Sequence, residues 1–352
     1  MIRKILLTIL LSTFSSIASA QSGRIKPPDA PTPTPPRPRV IYTTPTNFPT
    51  VKPTPTPPNK NDENGDEIIS ITSTLVPIPA SVIDSTGKAV TNLKLEDFQL
   101  SVDGKAAEIA DLFRSETPVR LAMLFDNSSS VNVARDFEIK AAVRFFRRVI
   151  RPEKDLAALF SVATGTRLEQ PLTKDSEQII RAIENFPKPE GATALLDAVI
   201  KAAVYMKSVE GRRVIIIVSD GDDTISDATF DETVRVVQAA NCQVFIVKTT
   251  DFENFKRTGI RGGNANIRQL TAERRMQELA RQTGGAVFSP IDEKEIDRSF
   301  NQISAELSQT YILNYYPPEL PKNNEFCNLS LRIKGRDDLT VRTRKGYYIS
   351  KR

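Results

Sequence analysis

Residues 119–131 read VRLAMLFDNSSSV. The first seven have the composition of a buried strand, with a single arginine, and they run straight into a carboxylate, Asp126, and three hydroxyls. A strand covered on both faces reads as a near-continuous apolar run, not as an alternation. Beyond it the period changes. Ala134, Phe137, Ala141, Phe145 and Val149 recur at three- and four-residue spacing, the signature of one helix face. A buried strand feeding a helix is half of a βαβ unit. The strand's end is unusual, because turns after buried strands are ordinarily built from Gly and Pro.

The same alternation continues downstream. LAALFSVA (156–163), RRVIIIVSD (212–220), CQVFIVKT (242–249) and AVFSP (286–290) read as strands. ALLDAVIKAAVYM (194–206), DETVRVVQAA (231–240), RRMQELARQTGG (274–285) and DRSFNQISAELSQ (297–309) read as helices, the third with a glycine stop. Strands alternating with helices predict an α/β domain over 118–309: a doubly wound, mostly parallel sheet covered on both faces. On either side the pattern is β. Segment 65–117 carries IISITSTLVPIPASVID, the turn DSTGK, and SVDGKAAEI with an Asp-Gly hairpin signal. Segment 310–352 carries TYILNYYP, FCNLSLRIK and LTVRTRKGYYI. Neither flank has enough apolar surface for a stable sheet alone, so the two are expected to pack together as one small β module.

The N-terminus has a different character. Residues 1–20, MIRKILLTILLSTFSSIASA, have a basic start, a short apolar core and an Ala-Ser-Ala end, the pattern of a signal peptide cleaved after Ala20. The apolar core is short for a membrane span, and membrane association is expected only if this segment is uncleaved. Residues 21–64 alternate prolines with threonines in KPPDAPTPTPPRPRV and VKPTPTPP. This composition predicts a disordered, polyproline-like linker, reaching on the order of 120 Å at ~3.1 Å per residue. The expected location is the periplasm, the cell envelope or the extracellular space.

Composition excludes several chemistries. The 352 residues include no histidine, which removes Ser-His-Asp and Cys-His catalysis and His-ligated zinc or haem. The net charge of +5 drops by two without Arg3 and Lys4, and no dense basic run occurs, so nucleic acid is not an expected partner. The two cysteines, Cys242 and Cys327, leave two readings: a bridge in an oxidising compartment, or a buried free thiol at Cys242, which opens an apolar run.

In a parallel α/β sheet, sites form outside the carboxyl ends of the strands. Asp126 and Asp220 both end strands and so emerge on one edge. Ser128 and Ser130 lie in the turn after Asp126, and Thr193 in PEGATALLDA precedes a helix on the same edge. Two carboxylates and three hydroxyls are hard oxygen ligands suited to Mg²⁺, Mn²⁺ or Ca²⁺. Taken singly, each has an ordinary explanation: helix N-capping for Ser128, Ser130 and Thr193, and a turn before Gly221 for Asp220. DGDDTISDATFDE (220–232) has Ile225 where a calcium loop needs glycine, so Asp222, Asp223 and Asp227 are read as loop and helix-start residues. Asn127 and Asn328 head glycosylation-type triplets, and the first falls inside the proposed cup.

DNSSS (126–130), followed by Thr in GATALLDA (191–198) and Asp in VSDGDDT (218–224), resembles the metal-ion-dependent adhesion site of von Willebrand factor type A domains. The family pattern is Asp-x-Ser-x-Ser, then Thr, then Asp. The resemblance spans about residues 118–312, with LARQTGGAVF (279–288) similar to the family's last helix and strand. LKLEDFQLSVDGK (93–105) and TRKGYYI (343–349) resemble the VWFA-related proteins of Acidobacteria. The resemblance implies a metal held by Asp126, Ser128, Ser130, Thr193 and Asp220, with magnesium the leading ion. The hydroxyls would be direct ligands and the aspartates would supply charge directly or through water. It also implies a secreted adhesion-type module, not an enzyme, that captures a carboxylate of a protein ligand. Two alternatives stay open: a metal-dependent hydrolase on a similar sheet, and an envelope scaffold whose metal is structural. The segment TTDFENFKRTGIRGGNANIR (249–268) reads either as a cationic loop that selects an acidic ligand or as a disordered insertion.

Overall fold

The computed structural model describes residues 75–114, 117–129, 135–260, 266–317 and 325–348. The signal and linker segments, Ser130 and Arg261 lie outside these residues. No helix among the described residues is long and apolar enough to cross a membrane.

The central sheet has six strands: β5 (Val119–Asp126), β6 (Leu156–Val162), β7 (Thr166–Thr173), β8 (Arg212–Ser219), β9 (Cys242–Lys248) and β10 (Val287–Phe288). Their order is β10-β9-β8-β5-β6-β7, parallel except for β7, which runs antiparallel to β6. The alternation of side chains along β5 explains the doubly wound form. Leu121, Met123 and Phe125 enter one core with α1 (Arg135–Val149), α2 (Ser176–Glu184) and α7 (Glu293–Ser308). Ala122 and Leu124 enter the other, with α3 (Leu195–Lys207), α4 (Phe230–Ala239) and α6 (Ile267–Thr283). Both faces are apolar because both are covered.

The expected helices and strands are present, with three additions. β7 and α2 fill the stretch after β6. Residues 250–258, expected to be loop, form α5 (Thr250–Thr258), closed by Gly259 in the left-handed region at φ 71°. The apolar anchor of α5 is Phe252, fully buried against Phe137 at 5.6 Å between ring centroids. The inner face of α1 is also rotated from the expected one, toward Glu138, Ala141, Ala142, Phe145 and Phe146.

The flanking strands form two four-stranded sheets. β1 (Val76–Ile83), β4 (Asp111–Arg114), β11 (Tyr311–Tyr315) and β13 (Thr340–Thr343) make one, in the order β13-β1-β11-β4. β2 (Phe98–Val102), β3 (Lys105–Ala107), β12 (Phe326–Ile333) and β14 (Gly346–Tyr348) make the other, in the order β14-β12-β2-β3. Each mixes N- and C-terminal strands, and all their contacts are antiparallel. One core joins the sheets, built from Ile78 and Val82, Phe98 and Leu100, Tyr311 and Leu313, and Leu329 and Leu331. The β2–β3 hairpin turns through Asp103 and Gly104 at φ 48° and 77°, the positive values a two-residue primed turn requires. Pro77 and Pro79 sit in the half of β1 that pairs with β11 alone, where their missing N–H removes no ladder bond from β13. Cys242 and Cys327 are both buried and unbridged, so the disulfide reading is not realised. Burial pushes the Cys242 thiol up to about 12, which leaves it inert.

Candidate metal centre

β5 and β8 are parallel neighbours with Phe125 opposite Val218, which sets Asp126 beside Ser219 at the carboxyl edge. Ser219 donates to Asp126 Oδ2 at 2.6 Å, and the Ser128 N–H donates to Oδ1 at 2.9 Å. The carboxylate is therefore fixed from two sides and is 1% exposed. Burial first, then the Asp220 carboxylate, pushes Asp126 up to about 6, against the lowering effect of its bonds from Ser219 and Ser128. Asp220 follows β8. Its Oδ1 accepts from the Asp222 N–H at 2.9 Å, and its carbonyl accepts from Thr250 at 2.8 Å. It lines a cavity of about 340 Å³ with Asp222, Thr250, Glu253, Arg257 and Arg268.

Thr193 is brought to the same edge by a web of loop contacts. Its carbonyl accepts from the Thr224 N–H at 2.9 Å, and its own N–H donates to the Thr224 hydroxyl at 2.9 Å. The Thr193 hydroxyl makes no hydrogen bond among the described residues, although the residue is 3% exposed. N-capping does not account for it. The cap position of α3 is Ala194, and the free N–H groups of Leu195 and Leu196 are taken by Asp223 Oδ1 at 2.8 and 3.3 Å. Asp222 pairs with Arg268 at 2.6 Å, so the residues read as loop acids hold the loops together. Ser128 is buried beside Asp126. Asn127 is buried and accepts from Arg135, which is incompatible with a glycan there in the folded chain.

Two further carboxyls escaped the sequence reading. Glu138 on α1 is 1% exposed and neither carboxyl oxygen has a hydrogen-bond partner among the described residues. Burial, then the Glu253 and Asp126 carboxylates, raise it well above the usual range, while the nearby Thr249 hydroxyl lowers it. That hydroxyl has one proton and directs it to Glu253 Oε1 at 3.3 Å. Burial, then Asp220, pushes Glu253 up to about 8. A glutamate at i−3 and i−4 from Ala141 and Ala142, on the inward face of α1, was the available signal. The cations expected to make 249–268 a recruiting surface are partly engaged already: Lys256 pairs with Glu293 at 3.0 Å and Arg268 with Asp222.

Residues 121–222 match the von Willebrand factor type A domain. The α/β fold is type A-like, with a mostly parallel central sheet and flanking antiparallel sheets. No curated protein matches the chain. Among solved structures, the PilB minor pilin from Streptococcus sanguinis is similar at 13% identity and TM-score 0.42, covering 58% of this chain and 64% of the pilin. BatB from Bacteroides thetaiotaomicron is similar at 14% identity and TM-score 0.41, covering 54% of this chain and 98% of BatB. The pilus adhesin SpaC from Lactobacillus rhamnosus GG, in its open conformation, is similar at 8% identity and TM-score 0.44, covering 72% of this chain and 48% of the adhesin.

The residues of the type A edge fit a hard divalent cation. Asp126 and Asp220 repel one another, and among the described residues no lysine or arginine bonds to Asp126 and the Thr193 hydroxyl is unspent. No three Asp, Glu or Cys side chains among the described residues converge as an all-acid cage, so a metal here would rest on carboxylates and hydroxyls together.

Proposed function

We propose that the protein is an exported, non-enzymatic binding module that takes a carboxylate of a protein ligand at a divalent cation, Mg²⁺ before Mn²⁺ or Ca²⁺. Asp126, Ser128, Thr193 and Asp220 would hold the cation, with Ser130 completing the set. When bound, it would offer an acidic side chain of the ligand a positive centre in place of water. The protein's own groups do the positioning: Ser219 and the Ser128 amide orient Asp126, and the Asp223 cap frees Thr193 from helix duty. The observation that carries the reading is the Thr193 hydroxyl, unspent among the described residues on a residue only 3% exposed, and set on the same sheet edge as two mutually repelling aspartates. A hydrolytic role would have no histidine to use and would have to rest on a carboxylate as its base.

The test has two arms. Thermal melts in EDTA and in Mg²⁺ should differ, because a ligand of the folded state alone adds about 2.7 kcal/mol at a hundredfold excess over Kd. Glutamate-rich peptides on a biosensor should then bind in Mg²⁺ and be released by EDTA. A metal-independent melt ends the metal reading. A metal-dependent melt with no peptide binding leaves a structural ion and ends the capture reading.

A further inference from the structure

A second cavity lies at the opposite edge of the central sheet. It is about 370 Å³ and opens where β8 and β9 begin and where the β1, β11 and β14 segments approach them. Three arginines line it, Arg212, Arg213 and Arg344, and no aspartate or glutamate does among the described residues. None of the three forms an ion pair among the described residues, which is unusual for guanidinium groups so enclosed.

Part of their hydrogen-bonding capacity is spent on helix ends. Arg212 donates from Nη1 to the Leu307 carbonyl at 3.1 Å and to Thr310 Oγ1 at 2.6 Å, and from Nη2 to Gln243 Oε1 at 2.5 Å. Arg213 donates to the carbonyls of Val209 and Ala240 at 2.7 and 2.8 Å, beyond α3 and α4. Arg344 donates to Asn241 Oδ1 and, at 2.8 Å, to the Pro77 carbonyl. Helix C-termini offer partial negative charge, so this is a sound structural use of the side chains. It does not use them up. The Nε–H of Arg212 and the Nε–H of Arg344 are both buried and have no acceptor. Arg212 is 6% exposed. Burial pulls both guanidiniums down to about 10; the only carboxylate that offsets this at Arg212 is Glu306, which is already bonded to Arg342. Positive charge is held here at a cost in solvation that no residue of the cavity repays.

We propose that this cavity is a binding site for a small oxyanion, a carboxylate or a phosphate, received by the unspent N–H groups of Arg212, Arg213 and Arg344. The planar guanidinium presents parallel N–H donors that match two oxygens of either group. Gln238, Asn241 and Thr283 add neutral polar groups to the wall. The site faces away from the Asp126 edge and does not depend on a metal there.

The experiment uses the full chain, stripped with EDTA and dialysed, with inorganic phosphate and with succinate as probes and chloride at matched ionic strength as the reference. Thermal shift and calorimetry should show saturable stabilisation by at least one probe beyond the chloride effect, and the stronger probe names the chemistry. Arg344→Gln, at a part-exposed position, should weaken that binding about tenfold, and exposed Arg332→Gln should not. Asn241→Asp sets a carboxylate against Arg344 with no change of shape, at a position whose φ of 52° aspartate tolerates. It should raise the melting point without probe and blunt the response to probe. Arginines that serve only as helix caps would give the first effect and not the second. Non-saturable shifts equal to chloride for both probes, or equal affinity in parent and Arg344→Gln, overturn the proposal.

Discussion

At the scale of residues, the edge of β5 and β8 is governed by the Asp126 carboxylate, buried beside a second carboxylate, Asp220. Asp126→Asn keeps the acceptor for Ser219 or the Ser128 amide and removes the charge. At pH 8, where Asp126 is ionised, it is expected to leave the metal-free protein as stable as the parent or more so, and to abolish the gain on adding Mg²⁺. A lower melting point in both conditions would make Asp126 a purely structural acceptor. Glu253 contributes to the pH dependence in the same direction as Asp126 and Glu138, whose carboxyls are also raised. Its folded value of about 8 lies above the ordinary 4.5, so between the two the folded state holds a proton the unfolded state has lost. Stability of the metal-free protein should therefore fall as pH rises through this window and level off above it. Glu253→Gln should reduce the slope in urea titrations at pH 5 to 8, leaving the part due to Asp126 and Glu138, and an unchanged slope would assign it wholly to them. The aspartates and Thr193 were legible because each follows or precedes an apolar run whose direction is unambiguous. Glu138 was not, since a glutamate on a helix reads as solvent-facing until the helix's rotation is known.

At the scale of elements, the loop after β8 does the work that a local residue ordinarily does. A threonine just before a helix reads as its cap, yet α3 is capped across space by Asp223, with Ser226 donating to the same carboxylate at 2.5 Å. The two roles separate by mutation. Asp223→Ala should cost about 1–2 kcal/mol, with or without metal, because it strips the first N–H groups of α3. Thr193→Val should leave the metal-free melting point nearly unchanged, since the lost hydroxyl bonds no described residue, and should reduce the Mg²⁺ gain. Equal losses in both conditions for Thr193→Val would return the hydroxyl to a structural role. The elements missed in sequence share a cause. α5 has nine residues and owes its place to one buried ring, Phe252, so no periodicity announces it. β7 contains Pro171, which argues against a strand, but β7 is an edge strand with register shifts against β6, where a missing donor is tolerated.

At the scale of the whole molecule, the chain leaves the flanking sheets after β4, builds the α/β domain, and returns to them at β11. Long-range order links the ends of the described sequence: β1 lies between β11 and β13, and β2 between β12 and β3. The composition of the flanks made their β character legible; the pairing of distant strands was an inference from their insufficiency alone. Ending the chain after Tyr316 would remove β12, β13 and β14, and with them Cys327, Leu329, Leu331, Ile333, Leu339 and Tyr347 from the shared core. Each fully buried side chain of this kind contributes roughly 1.5–3 kcal/mol, more in sum than a sheet pair of this size is expected to hold in reserve. The cut would also delete the Arg342–Glu306 pair and the Lys345 amide bond to the Gln282 carbonyl at 3.1 Å, which tie β13 and its following turn to α7 and α6. Amide exchange in 98–107 should then speed up to that of an unpaired chain, while β5, β8 and β9 keep their protection because both their cores remain. Unchanged exchange in 98–107 would show that the N-terminal strands stand without the C-terminal ones, and collapse of protection in β5 and β8 as well would make the sheets and the type A domain one cooperative unit.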